Sequence, residues 1–199
     1  MKFINQRDYP HWLYVTRTDM EEEAEREKGK TTTVASSACG LCSAVMVADR
    51  LLPNCEFDLS QAISLSYEVK ANYRRGTSYA RFAPAFAEKL GLRYENTRDL
   101  EALRHCLRTG GAAVALVTEH KDNPPGLFTH RSHYITILNE ELDGRFAILD
   151  PYFYEGKFDE EGRKGLVEVK YGYLILCAPE ILAGELDEKN NALHLFWRQ

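Results

Sequence analysis

The rhythm of hydrophobic and polar positions changes part-way along the chain. Residues 3–15, which include Tyr9-Pro10-His11-Trp12-Leu13-Tyr14, read as an extended aromatic segment laid on a core. Residues 18–30, TDMEEEAEREKGK, are charged almost throughout and read as a solvated helix or loop rather than a binding surface. From about Cys39 to Leu52 nearly every position is apolar or small, which predicts a helix buried on all sides. Ser36 and Ser37 stand ready to cap its first turn, and Pro53 stops it. Three more helices are expected. One covers residues 58–74, from a cap at Asp58 or Ser60 to a stop at Gly76, with Arg74-Arg75 meeting its dipole. The next runs from a Thr77-Ser78 cap to Leu90, with Gly91 as terminator, and the last from Asp99 to near Gly110-Gly111.

Beyond residue 111 the pattern becomes that of strands: residues 112–118, 134–139, 145–150 and 167–177. Asp143-Gly144 between the second and third is a hairpin signal. The closing Leu193, Leu195, Phe196 and Trp197 are too apolar to hang free and are expected to pack back on the domain or on a partner. Helices first and strands later imply an α+β fold in one domain spanning residues 1–199, with 18–30 as a charged insertion.

Composition narrows the function classes. The 199 residues are 44% hydrophobic and 28% charged, within the range of globular proteins, and no apolar run of membrane-spanning length occurs. The start lacks the apolar centre of a secretory signal, so a cytoplasmic location is expected. A net charge of −5 with scattered basic residues argues against a nucleic-acid partner. The five cysteines, odd in number and irregular in spacing, read as reduced thiols.

One of them carries candidate chemistry. Cys39 falls at the first turn of the buried helix, where unpaired N–H groups and the positive end of the dipole favour the nucleophilic thiolate. Gly40 beside it is expected to leave an open approach to the sulfur. A nucleophilic thiol needs a base, and of six histidines His133 is best placed, at the opening of a strand that can aim its ring. His130 lies in the preceding loop, His105 in a helix and His120 in a polar loop. The base needs an orienting group. Asp150 ends the adjacent strand, where a hairpin through Asp143-Gly144 would bring it to His133. Tyr152, Phe153 and Tyr154 follow, and read as core aromatics rather than cleft walls.

The order Cys, His, Asp, together with several local motifs, resembles the C39-like peptidases, a papain-like family related to the peptidase domains of bacteriocin exporters. The motifs are Asn5-Gln6-Arg7, Thr33-Val34-Ala35-Ser36-Ser37-Ala38-Cys39-Gly40, Gly76-Thr77-Ser78, Gly126-Leu127-Phe128-Thr129, Ser132-His133-Tyr134-Ile135 and Ile148-Leu149-Asp150-Pro151. Ala38 stands where many relatives carry glycine, and Leu41-Cys42 where they carry proline-threonine. The resemblance implies a papain-like fold, with the nucleophile on a central helix packed against an antiparallel sheet. It implies Cys39 as nucleophile, His133 as general base and acid, Asp150 as orienting carboxylate and Gln6 as side-chain donor to the oxyanion, with the Cys39 N–H as the second donor. No cofactor or metal is implied. The substrate would be a peptide or a smaller amide.

Two other classes remain open on the residues alone. One is a catalytically silent papain-like module that binds peptides or a partner. The other rests on Cys39-Gly40-Leu41-Cys42 as a C-x-x-C, either a redox pair or, with His130 and His133, a zinc site.

Overall fold

The computed structural model describes residues 2–18, 31–74, 76–119 and 126–199. Nearly all of the charged segment 18–30, Arg75 and His120 lie outside them. The apolar run is helix α2, Cys39–Leu51, preceded by a short helix α1, Val34–Ser37. The two serines do not cap α2 as expected. They belong to α1, whose cap is Thr33, with Ser36 Oγ accepting the Thr33 N–H at 2.9 Å. Thr33 outcompetes them because it stands in extended backbone while both serines are already helical.

Helix α3 is Leu59–Glu68, with the Asp58 carboxylate accepting the Gln61 N–H at 2.9 Å. It stops well short of residue 74. Lys70 turns into the left-handed region at φ 56°, and the chain then forms a small hairpin of β1, Asn72–Tyr73, and β2, Gly76–Thr77. Arg74 therefore sits in a hairpin turn rather than at a helix end. Helix α4, Tyr79–Leu90, ends on Gly91 at φ 63°, and α5, Leu100–Arg108, is capped by Asp99.

The main sheet has seven strands in the order β3-β9-β4-β5-β6-β8-β7. They are β3 Leu92–Thr97, β4 Ala112–Thr118, β5 Ser132–Glu140, β6 Phe146–Leu149, β7 Val167–Lys170, β8 Leu174–Cys177 and β9 Leu193–Arg198. All neighbouring pairs are antiparallel. The expected single strand over 167–177 is two, folded on themselves by Tyr171 at φ 54° and Gly172 at φ 78°. Strand β3 and the short helix α6, Pro179–Glu185, are additions to the expected elements. The apolar end does pack back, as β9 between β3 and β4.

Both faces of the sheet are covered, and the period of two decides which side chain serves which core. Ala112 and Val114 of β4 join Leu41, Val45 and Met46 of α2 and Phe82 and Phe86 of α4 in one core. Ala113, Ala115 and Val117 join Ile135, Ile137, Ile148 and Leu195, with Leu103 and Leu107 of α5 and Leu182 of α6, in the other. Each fully buried Leu or Ile adds about 1.5–3 kcal/mol, so the first core anchors α2 firmly against the middle of the sheet while the second backs the sheet from its other face. Among the described residues no helix is long and apolar enough to cross a membrane.

Candidate active site

Cys39 opens α2, and the turn before it is broken. Ala38, at φ −110° and ψ 24°, separates α1 from α2. In a continuous helix the Cys39 N–H would donate to the carbonyl of Ala35, four residues back. Here Ala35 O accepts instead from Gln6 Nε2 at 2.7 Å, and among the described residues no carbonyl takes the Cys39 N–H. Gln6 is 4% exposed, and its backbone N–H donates to Pro151 O at 2.7 Å. Asn5 Nδ2 adds a bond to Phe153 O at 2.8 Å, so the amino-terminal segment is strapped to the chain just after Asp150. Gln6 Oε1 is buried without a hydrogen-bond partner, Nε2 spends one of its two N–H groups on Ala35 O, and Gln6 and Cys39 line the same cleft.

The antiparallel register brings His133 and Asp150 together. Ile137 of β5 faces Ile148 of β6. His133 lies two pleats before Ile137 and Asp150 one pleat after Ile148, so both point to one face at one end of the sheet. His133 Nε2 is 2.7 Å from Asp150 Oδ1. Cys39 faces the same ring closely enough for each to shift the other's ionisation, and with Nε2 given to Asp150 the nitrogen left for the sulfur is Nδ1. Asp150 is wholly buried, and its Oδ1 also accepts the Tyr152 N–H at 2.7 Å.

Electrostatics follow from this geometry. Burial opposes ionisation of Cys39, but the facing His133 and hydrogen bonds from His133 and the Tyr134 and Gly40 backbone outweigh it, and the thiol lies below its ordinary value. Burial likewise disfavours a charged His133, yet Asp150 and Cys39 raise it to about 9. For Asp150, burial is outweighed by Lys157 and His133, which hold the carboxyl well below the usual carboxylate range. Cys42, one turn along, behaves in the opposite way, since burial drives its thiol well above normal.

Gly40 is not an open approach to the sulfur. It is buried, and a Cβ there would lie 2.9 Å from the Tyr79 ring and 3.2 Å from the Tyr134 ring. These rings stack with centroids 4.6 Å apart, and Tyr79 Oη donates to Gly40 O at 3.0 Å, so the glycine lets an aromatic floor press against the first turn of α2.

The site opens into a cleft of about 710 Å³ whose walls include Gln6, Cys39, Thr77, Ser132, His133 and Tyr134. Tyr152 and Tyr154 line it too, contrary to the core placement expected for them, while Phe153 packs inward. Arg7 covers their rings, its guanidinium 5.4 Å and 4.9 Å from their centroids. His130 borders the same cleft but turns to Arg163, 3.4 Å away, and His105 is exposed on α5. All five cysteines are free thiols. Among the described residues no group of three or more His, Cys, Asp or Glu side chains is placed to hold a metal ion. Lys157 escaped the sequence reading altogether. It is 2% exposed and its Nζ lies 2.6 Å from Asp150 Oδ2.

The chain folds as a mixed helical and antiparallel-sheet protein, and that fold matches the one of a C39-like peptidase. A solved structure that overlays on it, from Bacillus anthracis, is provisionally assigned to the C39-like peptidases. The match has a TM-score of 0.51 over 81% of this chain and 88% of that one, at 10% identity, a likeness of fold. No protein-family model and no curated protein matches by sequence.

Proposed function

We propose that this protein is a cysteine-dependent hydrolase of peptide or amide bonds, built as a single papain-like domain. The observation that carries the reading is the buried His133–Asp150 pair, 2.7 Å apart, on the cleft that Cys39 lines at the head of α2, and the surroundings of Cys39 favour its thiolate. The Cys39 thiolate attacks the carbonyl carbon, and the developing oxyanion meets the Cys39 N–H and the free N–H of Gln6. Donors aimed at charge that appears only in the transition state are worth about 10²–10³ each in rate. His133 gives its proton to the departing amine, and a thioester remains. His133 then takes a proton from water, which attacks the thioester, releases the acid and restores the thiol.

A second hollow of about 390 Å³ shares His130, Arg131 and Asp187 with the main cleft, which favours an extended peptide over a small amide as substrate. The C-x-x-C redox reading draws little support, because a short helix and not the strand of a βαβ unit leads into Cys39, and the main sheet is antiparallel. The test is the rate of iodoacetamide alkylation from pH 4 to 9, with peptide mapping. Fast, selective labelling of Cys39 well below pH 8, slowed by His133→Ala, is expected. Labelling that rises only near pH 8.5 and ignores His133→Ala would leave a silent binding module as the better reading.

A further inference from the structure

Lys157 has no role in the chemistry just described, yet it is among the most deeply buried charged side chains of the molecule. It opens a 3-10 turn, Lys157–Asp159, after Gly156, whose φ of 79° swings the chain back under the site. All three ammonium hydrogens are placed: Asp150 Oδ2 at 2.6 Å, Phe128 O at 2.8 Å and Tyr152 O at 3.2 Å. The rings of Tyr152, Tyr154 and Phe158 surround it at 5.7, 5.8 and 5.7 Å. Burying an ammonium costs several kcal/mol unless it is matched by a close counter-charge, and Asp150 is that match.

The two carboxylate oxygens are thus divided, Oδ2 to Lys157 and Oδ1 to His133. Other titratable and charged groups around this centre are Cys39 from α2, Arg163 and Glu160 from the loop beyond Lys157, and His130 and Tyr154 at the cleft wall. Arg163 and Glu160 neutralise one another at 2.8 Å. The charge on Asp150 is therefore answered by two cations, of which only His133 changes state during a reaction of the proposed kind. If His133 were the sole partner, each proton it gave away would leave a buried carboxylate unpaired, and the ring would hold that proton more tightly.

Resting on the proposed hydrolase, we propose that Lys157 is a positioning residue that acts through Asp150. Its fixed positive charge keeps Asp150 ionised and turned toward His133 while His133 releases and regains its proton. Lys157 touches no substrate; it sets how readily the ring parts with its proton.

The test is the titration of the His133 ring by ¹H–¹⁵N NMR in the wild type, Lys157→Met and Lys157→Gln. Methionine removes both charge and hydrogen bond, while glutamine keeps a donor to Asp150 without the charge. Both variants are expected to move the His133 midpoint to higher pH by about one unit or more, as loss of a nearby like charge requires. Midpoints unchanged in variants with native near-ultraviolet circular dichroism would make Lys157 a purely structural residue and overturn the proposal. A shift in the methionine variant alone would also overturn it, since the hydrogen bond and not the charge would then be responsible. Should neither variant fold, the wild-type Lys157 ¹⁵Nζ resonance decides. An inflection at the His133 midpoint is expected, and a flat trace through that pH sinks the idea. These readings do not depend on thiol reactivity, so a failure of the hydrolase reading in the alkylation experiment would show separately.

Discussion

The side chain of Gln6 occupies the carbonyl of Ala35, at 2.7 Å, that a continuous helix would have offered to the Cys39 N–H. One contact does two things: it fixes the Gln6 amide in the cleft that Cys39 also lines, and it leaves the backbone donor of Cys39 unspent. In the proposed mechanism these are the two donors for the oxyanion. Gln6→Ala is accordingly expected to lower kcat by about 10²-fold with little change in KM, the signature of a contact made in the transition state. Steady-state kinetics on a cleaved peptide would check it, and a loss confined to KM would assign Gln6 to substrate binding instead.

Cys39 and Cys42 should respond differently to the same substitution. Cys39→Ala is expected to abolish turnover, by about 10⁴-fold or more, with an unchanged melting temperature. Cys42→Ala removes a buried thiol from the core around α2 and should keep most activity while lowering stability by about 1 kcal/mol. Equal activity losses in the two variants would refute the assignment of the nucleophile.

The pH profile of kcat/KM should be a plateau bounded below by the depressed Cys39 thiol and above by His133 near pH 9. Activity falls on the alkaline side because the imidazolium, the donor to the leaving amine, is lost there. An alkaline limb near pH 6.5, the ordinary histidine value, would show that Asp150 does not hold the ring as described.

His194 of β9 predicts the acid side of stability. Burial lowers it to about 4, and its Nδ1 lies 2.8 Å from Tyr94 Oη. The folded protein thus prefers the neutral ring. That preference contributes fully above the unfolded value of about 6.5 and is lost as pH falls toward 4. Urea unfolding should show about 3 kcal/mol of stability disappearing across this window. In His194→Gln that part of the slope should be missing, and an unaltered slope would assign the loss to carboxylates instead.

Gly40→Ala tests the aromatic floor. The added methyl would push on Tyr79 and Tyr134, at an expected cost of about 1–3 kcal/mol. Tyr79→Leu in the same chain should recover part of it. If Gly40→Ala leaves stability unchanged in urea, the rings are not held as tightly as their stacking implies.

What could be read in the sequence was whatever depends on near neighbours. The apolar run of α2, the cap at Asp99, the stop at Gly91 and the Asp143-Gly144 hairpin all announce themselves within a few residues. The hairpin alone suffices to set His133 beside Asp150. What escaped depends on distant partners or on backbone twists at residues not known for them. Lys70 and Tyr171 adopt left-handed backbone without being glycine, which cut short α3 and folded one expected strand into two. Leu92–Thr97 has a polar outer edge and becomes a strand only because β9 pairs with it from a hundred residues away. Lys157 stands in a polar stretch that reads as surface, and only the approach of Phe128 and Asp150 buries it.

The placement of β9 bears on when this chain can begin to work. Strand β9 supplies the pairing partner of both β3 and β4, and α2, with Cys39 at its head, packs on β4 and β5. Until residue 198 has left the ribosome, β4 has one raw edge and the core under α2 lacks Phe196. Cys39 and His133 can therefore come together with full rigidity only after translation of this whole region. During synthesis the emerging chain carries Cys39 without the scaffold that holds it at the cleft.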